Sequence, residues 1–107
     1  MNKAICYANL TLCHKKHPLQ FTVGIGFQGK LINGRVKGVD LNKERESLEK
    51  FNQTIRDEEL FVLIKDYKGM ESLAQFYFKE FKNKKIDFVV IKENNTEEVL
   101  IERKELK

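Results

Sequence analysis

FTVGIGFQG, residues 21–29, is the stretch of this sequence that decides the fold. Its large apolar side chains fall on every second position and alternate with small or polar ones. A repeat of two residues is typical of a β-strand that buries one face. The sequence therefore predicts a strand with one buried face, built on Phe21, Val23, Ile25 and Phe27.

Two more strands are predicted along the chain, one before and one after this stretch. Residues 4–12 form a mostly apolar run that a polar loop containing Pro18 brings to an end. Residues 30–39 are expected to turn back as the third strand. The reversal lies either at Gln-Gly, residues 28–29, or at Asn-Gly, residues 33–34; we favour 28–29, because the later turn leaves too little chain for a full strand. Three antiparallel strands thus open the domain.

Apolar side chains recur at helical spacing in two later segments. Asp40 is a good N-cap for the first, which predicts a helix of roughly fifteen residues. The second follows Gly69 and has the stripe of an amphipathic helix. The apolar positions are Leu41, Leu48, Phe51 and Ile55 in the first segment, and Met70, Leu73, Ala74, Tyr77, Phe78 and Phe81 in the second.

Two short segments, residues 60–64 and 86–91, are apolar on both faces. Such runs are typical of parallel strands that are covered on both sides, and right-handed crossovers would place them parallel to the first strand. Residues 96–106 have two interpretations. The Asn-Asn-Thr sequence at 94–96 turns the chain into a final strand, or Thr96 caps a short helix, which we favour.

The element order is therefore βββαβαβ with a terminal helix or strand. It predicts a single α/β domain over residues 1–107, with a five-stranded mixed sheet flanked by helices. The 107 residues are too few for two ordinary domains. No apolar run is long enough to span a bilayer and no signal peptide is evident, so the expected location is the cytoplasm, with no membrane partner. Cys6 and Cys13 are interpreted as buried free thiols.

Basic side chains point to the class of partner. The net charge is +4, and lysines cluster at Lys79, Lys82, Lys84 and Lys85, which permits a polyanionic partner such as nucleic acid without requiring one, since the same lysines also suit a solvated surface. Phe76 lies off the apolar stripe of its helix beside these lysines, so we expect it to face solvent, where it could stack on a base.

Two carboxylates have unusual predicted positions. Glu44 stands four, seven and eleven residues before apolar positions of its helix, so it should project from the apolar face. Asp66 follows the apolar run 60–64 and should lie at the end of that strand. A carboxylate on the buried side of a helix is costly unless it is paired or binds a metal, which makes Glu44 a candidate ligand.

The element order and these residues resemble the ribonuclease H family, with Tyr7-Ala8-Asn9-Leu10-Thr11 in the place of its first-strand signature. The resemblance implies that Glu44 and Asp66 match two of the four carboxylates that hold two Mg²⁺ or Mn²⁺ ions in that family. Asn9 stands where the family has an aspartate, and the last-helix aspartate has no convincing counterpart. The resemblance therefore implies a degenerate catalytic site, with weak metal binding and little or no hydrolysis.

Three functions follow as hypotheses. The first is a nucleic-acid-binding protein, for a duplex or an RNA/DNA hybrid, that has lost most of its metal site. The second is an active metal-dependent nuclease that uses Glu44, Asp66 and a third acid such as Asp40 or Glu102. The third is a protein-binding adaptor or inhibitor that uses the fold only as a scaffold.

Overall fold

A computed structural model describes residues 2–93 and 97–105. The chain combines α and β structure, as predicted, in a small domain. The strands are β1 (Asn2–His14), β2 (His17–Gly29), β3 (Leu31–Ile32), β4 (Arg35–Val36), β5 (Phe88–Glu93) and β6 (Glu97–Glu102), and the helices are α1 (Leu41–Thr54), α2 (Leu60–Leu63) and α3 (Met70–Glu80), with a 3-10 turn at Arg103–Glu105. Among the described residues, none of the helices is long and apolar enough to cross a membrane.

One four-stranded sheet carries the fold, in the order β1-β2-β5-β6. Every neighbouring pair in it is antiparallel, and β3 pairs only with β4 in a separate small hairpin. The long β1–β2 hairpin turns at Lys15 and Lys16, both of which have positive φ, as a tight primed turn requires. The predicted loop around Pro18 is therefore a two-residue turn, and Pro18 itself lies in β2.

The alternation at residues 21–29 is confirmed, because its four large apolar side chains are all buried. The pairing register puts them on the same face as the even-numbered apolar residues of β1. The helices α1 and α3 pack against this face, with Leu48, Leu73 and Tyr77 in the shared core. Both predicted helices are confirmed, and the carboxylate of Asp40 caps α1 by accepting from the backbone N–H groups of residues 42 and 43.

On the opposite face of the sheet, side chains of the strands lie across neighbouring strands. The Phe88 ring lies across Gly26, and the Tyr7 ring lies across Gly24. A Cβ added at Gly26 would be 2.0 Å from the Phe88 ring, and one added at Gly24 would be 2.7 Å from the Tyr7 ring. A side chain at either position would therefore displace the ring that lies across it. Tyr7 and Leu100 remain exposed on this face.

The predicted five-stranded mixed sheet is wrong in two places. Residues 60–64 form no strand: residues 60–63 make the short helix α2, and the residues just before it pair with the outer edge of β1 (Asp57 N–H to Thr11 O, 2.8 Å; Cys13 N–H to Glu58 O, 2.9 Å). A short run that is apolar on both faces does not distinguish a strand from a helix by its period. The predicted strand 86–91 exists as β5, but it pairs antiparallel to β2.

The remaining differences concern residues 30–39 and the C-terminal strand. Residues 30–39 do not form a full strand, because the chain reverses at Asn33 and Gly34, which have positive φ, in the small β3–β4 hairpin. The edge of β2 that this strand would have occupied pairs with β5. At the C-terminus the strand interpretation is correct and the favoured helix is wrong, since β6 pairs with β5. The predicted reversal at 94–96 lies outside the described residues.

Candidate nucleic-acid interface

The three residues assigned to a metal site have separate surroundings. Glu44 lies in the first turn of α1, half-buried, and its Oε1 accepts a hydrogen bond from Asn83 Nδ2 at 2.7 Å. Asp66 is exposed between α2 and α3, where it lines a groove with Lys79. Asn9 is exposed on β1 and lines a different groove, of about 530 Å³, against α1.

Within residues 2–93 and 97–105, Glu44, Asp66 and Asn9 share neither a hydrogen bond nor a groove. In the same ranges, no group of three or more His, Cys, Asp or Glu side chains could hold a metal ion. Two-metal hydrolysis requires several carboxylates that converge on one point. The described carboxylates do not provide that arrangement.

The predicted lysine cluster, in contrast, belongs to a larger basic surface. Three segments, residues 30–44, 79–87 and 102–104, meet at one end of the molecule, which we call the basic end. Lys85 Nζ donates to the Gly38 carbonyl at 3.3 Å, and the Arg103 guanidinium donates to the carbonyls of Ile86 at 2.7 Å and Asn83 at 3.0 Å. These bonds bring together cations that are far apart in sequence.

Basic side chains outnumber acidic ones at the basic end. Most of its acids already have partners: Asp40 caps α1, Glu44 binds Asn83, Asp87 accepts from the Gln28 N–H at 2.7 Å, and Glu102 pairs with Lys104. The cations at this end are Lys30, Arg35, Lys37, Lys43, Lys79, Lys82, Lys84, Lys85, Arg103 and Lys104. The surface that results is positive, and Lys79, Lys82, Lys84 and Lys85 are all exposed on it.

The loop between α3 and β5 is held rigidly in this surface. The Asp87 N–H donates to Gly26 O at 2.8 Å, and the Arg103 N–H donates to Asp87 O at 2.7 Å. The Arg103 guanidinium also lies 5.1 Å from the centre of the Phe78 ring. Arg103 therefore positions the loop, while the exposed lysines 82 and 84 are available to a ligand.

Phe76 is partly exposed and lines a surface groove with Lys79, but its ring also packs against the core. It is half-buried, its ring centre lies 6.1 Å from that of Phe51, and it also contacts the Tyr77 ring. The apolar stripe predicted for α3 does not include Phe76. Its contact with Phe51 depends on the packing of α1 beside α3, which the sequence pattern of α3 does not report. Phe76 is therefore part of the packing between α1 and α3.

Sequence reasoning missed the contribution of the β3–β4 hairpin to the basic end. It assigns Lys30, Arg35 and Lys37 to no site, because it predicts residues 30–39 as one strand of the sheet. The Asn-Gly dipeptide at 33–34, a strong signal for a two-residue hairpin, could have identified it.

The other end of the molecule carries acidic side chains. Glu71, Glu93, Glu97 and Glu98 line a groove together with Tyr67. Burial, and then the nearby charges of Glu93 and Glu71, raise the pKa of Tyr67. This acidic groove is distinct from the basic end, while further exposed lysines lie at the β1–β2 turn, at Lys15 and Lys16.

The cysteines show no activation as nucleophiles. Both are free, and Cys6 is buried as predicted, whereas Cys13 is only partly buried. Burial raises the pKa of Cys6 to about 11, and burial together with the Glu59 carboxylate raises that of Cys13. A reactive cysteine needs a lowered pKa. The Glu59 carboxylate itself binds His14 Nδ1 at 3.0 Å, and this bond lowers the pKa of Glu59.

Comparison with models of protein families and with curated proteins finds no match to this chain.

Proposed function

We propose that this protein binds nucleic acid through the basic end and does so without hydrolysing it. The observation that supports the proposal is the convergence of three separate segments that place their lysines and arginines on one surface. Most acids of the same segments already have partners within the chain.

Phosphate groups are the natural ligand for such a surface. A nucleic-acid backbone presents closely spaced negative charges, and each lysine that contacts a phosphate releases condensed counterions. Phosphate contacts fix the position of a protein on nucleic acid without reading the base sequence. We therefore expect binding that is strongly salt-dependent and weakly sequence-dependent.

The proposal contains no metal-dependent step. Glu44, the best-placed candidate ligand, is engaged by the Asn83 amide, and Asp66 lines a groove that contains neither Glu44 nor Asn9. Mg²⁺ and Mn²⁺ need several anionic oxygens to offset the loss of their water. Incubation of the protein with Mn²⁺ and a labelled RNA/DNA hybrid should leave the hybrid intact.

The test uses fluorescence anisotropy with a labelled duplex and an RNA/DNA hybrid at several salt concentrations. The variant Lys82→Gln/Lys84→Gln should weaken binding to both, and the slope of log K against log salt should fall by about 0.9 for each phosphate that the variant no longer neutralises. The matched control is Lys15→Gln/Lys16→Gln, which removes the same charge from exposed positions at the β1–β2 turn, outside the basic end. Equal effects of the two variants, or an affinity that does not change with salt, would contradict the proposal.

A second candidate function, protein binding, is favoured by the sheet face that helices α1 and α3 leave uncovered. Tyr7 and Leu100 are exposed there beside the buried Val90. The case in which the partner is a second copy of this chain can be tested by sedimentation equilibrium. If two copies associate through this face, Leu100→Gln should dissociate them, and a wild-type chain that stays monomeric at high concentration would contradict that case.

A further inference from the structure

We propose that the outer edge of β1 binds an extended segment of a partner protein, which joins the four-stranded sheet as an additional strand in the groove between β1 and α1. The residues that carry this inference, Ile5, Tyr7 and Asn9, lie outside the basic end, so it does not depend on the proposed function. It starts from the main-chain groups of these three residues, which no strand of the sheet pairs.

Two hydrogen bonds farther along β1 show which residues point to the outer edge. Thr11 O accepts from the Asp57 N–H at 2.8 Å, and the Cys13 N–H donates to Glu58 O at 2.9 Å. The main-chain groups of a strand point alternately to its two edges, with a period of two residues. The N–H and C=O groups of residues 5, 7 and 9 therefore point to the same outer edge as those of residues 11 and 13.

Most of these outward groups are available to a ligand. The Asn9 carbonyl accepts from Asn52 Nδ2 at 3.0 Å, which agrees with the outward direction. Within residues 2–93 and 97–105, the N–H groups of Ile5, Tyr7 and Asn9 and the carbonyls of Ile5 and Tyr7 have no partner at this edge. An extended polypeptide presents donors and acceptors at the matching repeat. Phosphate groups only accept hydrogen bonds, so they would leave the carbonyls unpaired.

The chain itself already pairs the neighbouring part of this edge. Residues 57–59 lie along it, and Glu59 forms a parallel bridge with Cys13. A partner segment beside residues 5–9 would continue the line that residues 57–59 begin. The edge is thus shown to accept main-chain pairing, and only its first half is open.

This edge also lacks the charges that usually protect a free strand. Residues 4–13 contain no charged side chain and no proline, although 34% of the chain is charged. The opposite edge of the sheet, β6, carries Glu97, Glu98 and Glu102. Charged side chains on an edge strand discourage pairing with another chain. Of the two edges, β1 is therefore the one suited to an added strand.

Helix α1 forms the other wall of the site. It packs mainly on β1, and the groove of about 530 Å³ beside it is lined by Tyr7 and Asn9 from the strand and by Glu49 and Arg56 from the helix. Arg56 pairs with Asp57 at 3.6 Å, whereas Glu49 has no partner in the part of the chain that the structure describes. We expect the bound segment to place a lysine or arginine opposite Glu49.

A second copy of this chain fits the edge less well than a single extended segment does. Two β1 strands paired edge to edge would lie about 4.8 Å apart. Because α1 packs on β1, the two α1 helices would approach a similar separation, whereas packed helix axes need about 8–10 Å. A segment that brings no helix with it avoids this clash.

The test starts from a displayed library of random short peptides, from which binders to the full chain are selected and then synthesised. Hydrogen exchange followed by NMR should show that a bound peptide protects the amides of Ile5, Tyr7 and Asn9. Methylation of the peptide nitrogens, one at a time, should abolish binding only at alternate positions, because alternate N–H groups point toward β1. Failure to select any peptide, or peptides that leave these three amides unprotected, would overturn the proposal.

A matched pair of variants at one position isolates the main-chain contact. Asn9→Pro removes the outward N–H and places a ring against the added strand, while Asn9→Ala keeps the N–H; proline is tolerated on edge strands. Asn9→Pro should weaken peptide binding at least roughly tenfold, and Asn9→Ala should bind nearly as the wild type does. Circular dichroism checks that both are folded, and equal affinities would contradict the proposal. Duplex binding should be unchanged in both variants, so this result is independent of the proposed function.

Two further measurements identify the occupant. Glu49→Gln should weaken binding of selected peptides that carry lysine or arginine by about twofold to fivefold, and Glu46→Gln, at an exposed position of the same helix, should not. Equal effects of these two variants would overturn the basic partner segment. A dimer in sedimentation equilibrium without peptide, with the amides of residues 5, 7 and 9 protected, would overturn the proposal and assign the edge to a second copy.

Discussion

At the residue scale, Asn52 shows how a polar side chain can be buried without penalty. It lies on α1 with only 4% exposure, its Nδ2 donates to the Asn9 carbonyl at 3.0 Å, and its Oδ1 accepts from the Tyr77 hydroxyl. Burial raises the pKa of Tyr77 far above its usual value, which keeps that hydroxyl protonated as a donor. The amide thereby joins α1, α3 and the outer edge of β1.

We expect Asn52→Ala to destabilise the fold by about 2–4 kcal/mol, because it leaves both the Tyr77 hydroxyl and the Asn9 carbonyl without a partner. Tyr77→Phe should cost less, about 1–2 kcal/mol, since it leaves one oxygen unpaired. Urea unfolding measures both. The exposed neighbour Gln53→Ala is the control, and an Asn52→Ala variant as stable as that control would show that the network contributes nothing.

The buried thiol of Cys6 predicts a pH dependence of stability. The pKa of Cys6 is raised from the reference value of 9.0 to about 11 by burial. The unfolded chain therefore loses this proton at lower pH than the folded chain, so the contribution is complete below pH 9 and is lost between pH 9 and 11. Urea midpoints of the wild type should fall faster over this range than those of Cys6→Ala. Parallel curves would contradict the prediction.

At the scale of elements, β5 packs on β2 through the Phe88 ring, which fills the space where residue 26, a glycine, has no side chain. Phe88 lies across Gly26, so Gly26→Ala must displace the ring or the strand. We expect a loss of about 1–3 kcal/mol in the free energy of unfolding, typical of an overpacked site. In Gly26→Ala/Phe88→Ala the methyl group has room, and the cost of adding it should largely disappear. An equal cost in both backgrounds would argue against this packing.

The elements that depend on local patterns could be predicted from the sequence. The alternation at 21–29 and the two amphipathic stripes identify β2, α1 and α3, because each pattern reports the face that the element buries. Asp40 marks the start of α1 for the same local reason. The pairing of β5 with β2 and the helical form of residues 60–63 depend on contacts between distant parts of the chain, which periodicity does not report.

In the candidate site, too, the residues that lie close together in the sequence could be predicted, and those that distant contacts bring together could not. The lysines 79 to 85 are recognisable because they are close together in sequence. The contribution of Lys30, Arg35 and Lys37 depends on the bond from Lys85 to Gly38, which joins segments that are distant in the chain. The partial burial of Phe76 could not be predicted, because Phe51, its neighbour on α1, is equally remote in the chain.

At the scale of the whole molecule, the proposed function predicts how quickly a duplex is bound. Charges at the rim of an interface act mainly on the association rate. Stopped-flow mixing should therefore show that Lys82→Gln/Lys84→Gln slows association at low salt, and that the wild type loses this advantage as salt is added. Lys15→Gln/Lys16→Gln should associate as fast as the wild type. Association that is equally fast in all three proteins would contradict the prediction.

The concentration of cations at the basic end affects the path along which a polyanion approaches the protein. The molecule is elongated, with extents of 47 × 27 × 26 Å. A polyanion attracts the basic end through its cluster of cations, so it exerts a torque on the protein before the surfaces touch. The Debye length at physiological ionic strength is only about 8 Å. This reorientation is therefore confined to the final nanometre of the encounter, where it turns the basic end toward the polyanion.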